Sequence, residues 1–374
     1  MMRPLLHNSI LILVILLGSA WLTGCSGKTE KFTSATEETI NAALAQDWEA
    51  VWSSLSQPGS NPDAVAKILL DHAAQATNRY YNPGLIIDTT GREGDLSDWL
   101  KFAQEIVTAH PDQAVAHFLL GDAQARLRRL PDAMISFNKA LELDAHLALA
   151  YNARGAANTA LLRPEPAMQD FDQALIANPN LARALFNRGN AYRLRGKWEL
   201  AESDYTRVIE FCPDDAVAYN NRGEILRQQE RFDEALSDYS KAIDLDPTFN
   251  LPYNNRGLTL AKKGEWDLAF SDYNRAIALD PSYAPVYYNR GLACYFAGDY
   301  DNAIADYEKA AELEPKNYQI YYNMASSCDK AGYVDKTIAA FEKFIELAPD
   351  DQEEHVRRAR TRVNILKRQL EEKQ

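Results

Sequence analysis

The chain has 374 residues, with 53 Asp and Glu against 40 Lys and Arg, a formal net charge of −13, and four cysteines. That balance excludes a protein that holds nucleic acid or anionic lipid through its overall field. Four cysteines in a chain of this length also exclude a small domain stapled by disulfides.

At the start, one basic residue, Arg3, precedes an apolar run over 10–17, followed by Leu22, Thr23, Gly24 and Cys25 and then a polar stretch, 26–37. The run is short for a membrane-spanning helix and ends in small residues, as a cleaved signal does. These residues resemble a bacterial lipobox. The resemblance implies cleavage before Cys25 and a lipid on that cysteine. With Ser26 rather than Asp next in line, it also implies the outer membrane of the bacterial cell envelope, facing the periplasm. A diacylglycerol with an amide-linked chain such as palmitate buries enough CH2 groups for lasting anchoring. Residues 1–24 are thus expected to be a signal peptide and 25–36 a flexible tether. Losing 1–24, which holds one basic residue and no acidic one, takes the net charge from −13 to −14.

Residues 37–113 read as an N-terminal helical region. Helical patterns around 48–55 and 64–76 flank Gln57, Pro58 and Gly59, and 96–110 reads as the second helix of a half repeat whose partner has decayed into the loop 82–94.

From 114 to 351 a 34-residue unit recurs seven times, at 114–147, 148–181, 182–215, 216–249, 250–283, 284–317 and 318–351. In the first six, glycine is the eighth residue (Gly121, Gly155, Gly189, Gly223, Gly257, Gly291) and alanine the twentieth (Ala133 to Ala303). The twenty-fourth is Phe137, Phe171, Tyr205, Tyr239, Tyr273 or Tyr307. Proline closes units two to six, while the seventh has Ala325 and Thr337 at the glycine and alanine places, as a terminal repeat does. The period and pattern resemble the tetratricopeptide repeat. Each unit is expected to form two amphipathic helices, such as 250–263 and 266–280 joined at Gly264, with Gly257 making room for Ala269 and Tyr273. One unit cannot bury its apolar face alone, so the units must stack. The resemblance implies an all-α fold, a right-handed solenoid whose first helices line a concave groove. After it, 352–374 reads as a charged helix with Val356, Ala359, Val363, Leu366 and Leu370 on one side. A cap on the last repeat is expected, and a short two-helix seam between molecules is the alternative.

Arginine is the seventh residue of repeats two to six (Arg154, Arg188, Arg222, Arg256, Arg290), and aspartate the twenty-third (Asp170, Asp204, Asp238, Asp272, Asp306). Repeats one and seven lack both. Pairing within a repeat accounts for every case, so structural ion pairs are expected. On the inner face, the family resemblance directs the second, fifth, sixth, ninth and twelfth or thirteenth residues toward a peptide ligand. Those places supply Arg183, Asn187, Asn190, Arg193, Asn221, Arg227, Asn255, Tyr288 and Asn289. Amides can satisfy the backbone of an extended peptide, and aromatic rings can bury its side chains. The alternative for the asparagines is that they tie neighbouring helices. The arginines resemble in part the carboxylate clamp of chaperone-binding members, although Asn152, Phe186 and Asn220 replace the clamp's lysine and Glu224 intrudes.

Catalytic signals are absent. Gly27, Lys28 and Thr29 resemble the end of a P-loop, but Leu22 stands where a glycine is required. The six histidines show no metal-ligand spacing, and no cofactor or metal is expected. Cys294 and Cys328 hold equivalent places in adjacent repeats, too far apart to bridge, and with Cys212 read as unpaired thiols. The expectation is a non-catalytic, membrane-anchored scaffold that binds protein partners, with no nucleic acid. The alternative is a carbohydrate- or lipid-handling envelope factor using Trp48, Trp52, Trp99 and the groove tyrosines.

Overall fold

The computed structural model describes residues 93–372, which form sixteen α-helices with, among the described residues, no strand. The expected signal peptide, the tether with Cys25, and residues 37–92 with Trp48 and Trp52 lie outside the described residues. Helix α1, Glu93–Ala109, covers the expected half-repeat helix. Seven helix pairs follow: α2 Ala114–Arg126 with α3 Leu130–Leu143, α4 Ala148–Ala160 with α5 Pro164–Ala177, and α6 Ala182–Leu194 with α7 Trp198–Phe211. The next are α8 Ala216–Gln228 with α9 Phe232–Leu245, α10 Asn250–Lys263 with α11 Trp266–Leu279, α12 Ala284–Ala297 with α13 Tyr300–Leu313, and α14 Tyr318–Ala331 with α15 Val334–Leu347. A 3-10 turn, Asp350–Gln352, leads into α16, Glu353–Glu371. This is the consecutive helix-pair packing of an α-solenoid.

The turn within each pair places its fifteenth residue in the left-handed region. Gly196, Gly264, Gly298 and Gly332 adopt it at φ 67°, 80°, 84° and 83°, and so do Arg128, Leu162 and Glu230 at 58°, 59° and 61°. Glycine enters that region without strain and the other three do not. The packing of the two helices therefore sets the turn, and the residue type only modulates its cost.

The chain divides into two compact units, up to Ile225 and from Leu226 onward. In the first, the rings of Phe137, Phe171 and Tyr205 are buried; in the second, those of Tyr239, Tyr273 and Tyr307 are. A Cβ on Gly121 would lie 2.5 Å from Phe137 Cε1, and one on Gly257 would lie 2.9 Å from Tyr273 Cε1 and 3.2 Å from the Ala269 carbonyl oxygen. The glycines are therefore required by close approach of ring and backbone. At the C-terminus, Ala359, Val363 and Leu366 are buried among Phe341 and Phe344, and Arg362 pairs with Asp329 at 2.7 Å. The apolar stripe of α16 is thus spent on the last repeat, as a cap uses it.

Cys294 and Cys328 are buried free thiols, each pushed up to about 11 by burial. Cys212 is disulfide-bonded and so departs from the free thiol expected for it. The distance argument applied only to two thiols in the stack of first helices, whereas Cys212 follows α7, where no such spacing constrains it.

Candidate functional site

The seventh and twenty-third residues of a repeat lie on the facing sides of its two helices. Arg154 reaches Asp170 at 2.6 Å, Arg188 reaches Asp204 at 2.8 Å, Arg256 reaches Asp272 at 2.8 Å and Arg290 reaches Asp306 at 2.6 Å. In each, Nε and Nη2 together grip the carboxylate, the fork geometry in which a guanidinium binds most strongly. The hydrogen bond to the aspartate is the leading cause that raises Arg188, Arg256 and Arg290 above the ordinary arginine range. Arg222 and Asp238 belong to different units.

The remaining nitrogen of each fork does something the sequence reading missed. Nη1 turns back to the twenty-fifth residue of the preceding repeat: Arg154 to Asn138 at 2.7 Å, Arg188 to Asp172 at 2.9 Å, Arg222 to Thr206 at 3.3 Å, Arg256 to Ser240 at 3.0 Å and Arg290 to Asn274 at 2.5 Å. One arginine thus ties its own two helices and clamps them to the repeat before. The signal was present, since that twenty-fifth residue is a hydrogen-bond acceptor every time, but of four residue types in five repeats.

The expected ligand asparagines are largely engaged with one another. Asn187 donates to Asn152 Oδ1 at 2.9 Å, and Asn289 donates to Asn254 Oδ1 at 2.9 Å, each bond joining first helices of consecutive repeats 35 residues apart. Asn221 accepts from Asn220 at 3.2 Å and approaches Asn190 Oδ1 at 3.5 Å, while Asn190 Oδ1 also accepts from the Tyr205 hydroxyl at 2.7 Å. Asn255 accepts from Asn254 at 3.2 Å, and the Tyr288 hydroxyl accepts from Asn323 at 2.8 Å. Asn187, Asn190 and Asn221 are buried, whereas Asn255, Tyr288 and Asn289 are half-buried. The helix-tying role, weighed as the alternative for the asparagines, describes these contacts. A partner meets what remains of the same face.

Arg183 and Arg193 do not form one patch. Arg183 and Arg193 are ten residues apart on α6, about 15 Å along its axis. Arg183 lies beside Arg126, whose guanidinium is bound by Asp122 and is lowered to about 9, chiefly by burial and then by Arg183. Arg193 pairs with Glu224 at 3.2 Å. Burial opposes its charge, but Glu224 and Tyr205 prevail and its pKa is raised. Arg227, Asn255, Tyr288 and Asn289 belong to the second unit. Neither Arg126 nor Asp122 was found from the sequence, because each occurs in a single repeat and no periodicity singles it out.

Family models of the tetratricopeptide repeat match residues 101–148, 182–215, 216–249, 284–317 and 318–351, and a TPR repeat model matches 259–296. No curated protein matches the chain significantly. Among solved structures, the hetero-tetramer Cut9-Hcn1 of the APC/C is 15% identical, with a TM-score of 0.57, over 87% of this chain and 67% of that one. PilW, described as a widely conserved type IV pilus biogenesis factor, is 18% identical, with a TM-score of 0.52, over 56% of this chain and 98% of that one. At these identities the likeness is one of fold. The 34-residue period, the helix pairs it produces and the matching models together make this chain a member of the tetratricopeptide repeat family.

Proposed function

We propose that the chain is a non-catalytic adaptor, tethered through a lipid on Cys25 to the bacterial cell envelope, outer membrane and periplasmic side, that holds a polypeptide partner on the faces of its first helices. The observation that carries the binding part is the half-buried polar row on those helices, Arg227, Asn255, Tyr288 and Asn289, set on a rigid scaffold whose other recurring charges are consumed in holding repeats together. Rigid presentation lowers the ordering cost of binding an extended segment. The anchor rests on Leu22, Thr23, Gly24 and Cys25.

Affinity capture from an envelope extract with the full mature chain, read by mass spectrometry, tests the adaptor. Recovery of no polypeptide, together with retention on peptidoglycan or glycan resin, would replace it by the carbohydrate-handling reading. Acyl-chain labelling of the wild type and of Cys25→Ser tests the anchor, which predicts label in the first and none in the second.

A further inference from the structure

The thirteenth residue is one of the places that the repeat pattern directs to the inner face. From the third repeat to the seventh it is exposed: Leu194, Gln228, Lys262, Phe296 and Lys330, with Phe296 67% accessible. In the first repeat it is Arg126, and there a charged side chain keeps only 8% of its accessibility. The adjoining helix does not explain the difference. Helix α1 stands to α2 as α5 stands to α6, and α5 leaves Leu194 45% exposed.

The same face is closed at other places too. The second residue, Val115 or Leu149, is buried in the first two repeats, whereas Leu251 and Pro285 are half-buried and Gln319 is exposed at that place in the last three. The fifth residue is buried as Phe118 and Phe186 in the first and third repeats, and half-buried as Tyr288 and Tyr322 in the sixth and seventh. One repeat pattern thus gives an inner face that is apolar and shut to water in the first three repeats and more open in the later ones. A groove wall loses its water when something lies on it.

The chain itself offers the occupant. Ninety-two residues precede α1 and join the solenoid at Glu93, beside the first repeat. Within them, Ile40, Leu44, Trp48, Val51, Trp52 and Leu55 recur at helical spacing, an apolar stripe suited to an apolar wall. Glu37, Glu38, Asp47 and Glu49 make the same stretch acidic, and no Lys, Arg or His occurs between Lys31 and Lys67. The face it would meet carries Arg126, Arg183 and Arg193 against Asp122 and Glu224, so the net charges are complementary. The other helical pattern, 64–76, holds Lys67 and His72 and lacks that match. Reach is sufficient, since a flexible connection over 56–92 extends roughly 35 Å, against about 20 Å across three stacked first helices.

We propose that residues 37–55 lie on the inner face of repeats one to three, so that this stretch of the groove is filled by the chain's own N-terminal segment. The polypeptide partner is then left the first helices of the later repeats. The proposal goes beyond the adaptor reading, and its test needs no partner.

The experiment uses the full mature chain with the photoreactive residue p-benzoylphenylalanine in place of Leu44, irradiated as an equal mixture of unlabelled and heavy-isotope-labelled protein. Cross-links within one molecule to 115–126, 149–160 or 183–194 are the expected result. Cross-links that join a labelled chain to an unlabelled one would make the occupant a second copy, and cross-links to other parts of the chain, or none, would remove the segment from this face; each overturns the proposal. A second measurement is cleavage after Glu49 by a glutamate-specific protease. Ile40→Asp with Leu44→Asp, neither of which falls within the repeats, should speed that cleavage at least tenfold by releasing the segment. A wild-type chain cut as fast as the double variant also overturns the proposal.

Discussion

The arginine and aspartate ladder and the inner faces of the first helices use the same kinds of polar groups to opposite ends. Along the ladder the guanidiniums of Arg154, Arg188, Arg256 and Arg290 are saturated: each has two nitrogens on the aspartate of its own repeat and one on an acceptor of the repeat before. On the inner faces the asparagines also find partners, but Arg193 Nε, Asn190 Nδ2 and Arg227 Nε, with the Tyr273 and Tyr307 hydroxyls, are buried without one. Each of those groups raises the free energy of the isolated fold unless something outside the described chain serves it. Saturation marks the part of a repeat that maintains the array; unserved donors mark the part shaped by something besides stability.

The largest effect should come from leaving a saturated guanidinium stranded. Asp272→Ala deprives Arg256 of its fork at a carboxylate only 9% exposed, and should lower apparent stability by about 3 kcal/mol in urea unfolding. A loss under 1 kcal/mol would mean that the ladder is decoration. Arg290→Lys keeps the charge but cannot grip Asp306 bidentately while reaching Asn274, and a loss of about 1–2 kcal/mol is expected. Tyr205→Phe breaks the bond to Asn190 and should cost about 1 kcal/mol, while Tyr307→Phe removes a hydroxyl that has no partner and should be neutral or slightly stabilising. Equal losses for the two tyrosines would erase the contrast between served and unserved groups. The smallest effect is reserved for the backward bond. In double-mutant cycles, Arg256 with Ser240 should couple by about 0.5 kcal/mol, below its coupling with Asp272, and a reversed order would make the tie between repeats the stronger of the two.

The fold was legible because each of its requirements recurs. Gly121, Gly155 and Gly257 each face the aromatic ring sixteen residues on, and seven copies of one unit average out the ambiguity of any single helix. The ladder was legible for a sharper reason, since repeats one and seven lack both partners together. What escaped is what does not repeat in kind: the acceptor of the twenty-fifth residue, which is Asn138, Asp172, Thr206, Ser240 or Asn274, and the pair of Arg126 with Asp122. The inner face was read as ligand-directed, yet Asn187 and Asn289 hold neighbouring helices, because an amide can serve either end and sequence does not show which partner is nearer. Arg183 and Arg193 looked like one patch by count alone, although ten residues of helix separate them.

By itself, then, the sequence determined the period, the helix pairs, the close approach of glycine to ring, and the choice of aspartate for Arg154, Arg188, Arg256 and Arg290, all of which follow from spacing along one chain. Only the tertiary structure decided which polar groups are spent on neighbouring repeats, why Arg128, Leu162 and Glu230 accept a left-handed turn, and that Glu224 answers Arg193. The physical reason is that spacing specifies which side of a helix a residue occupies, whereas hydrogen-bond satisfaction depends on distances of a few tenths of an ångström between helices, and those distances arise only when the repeats pack.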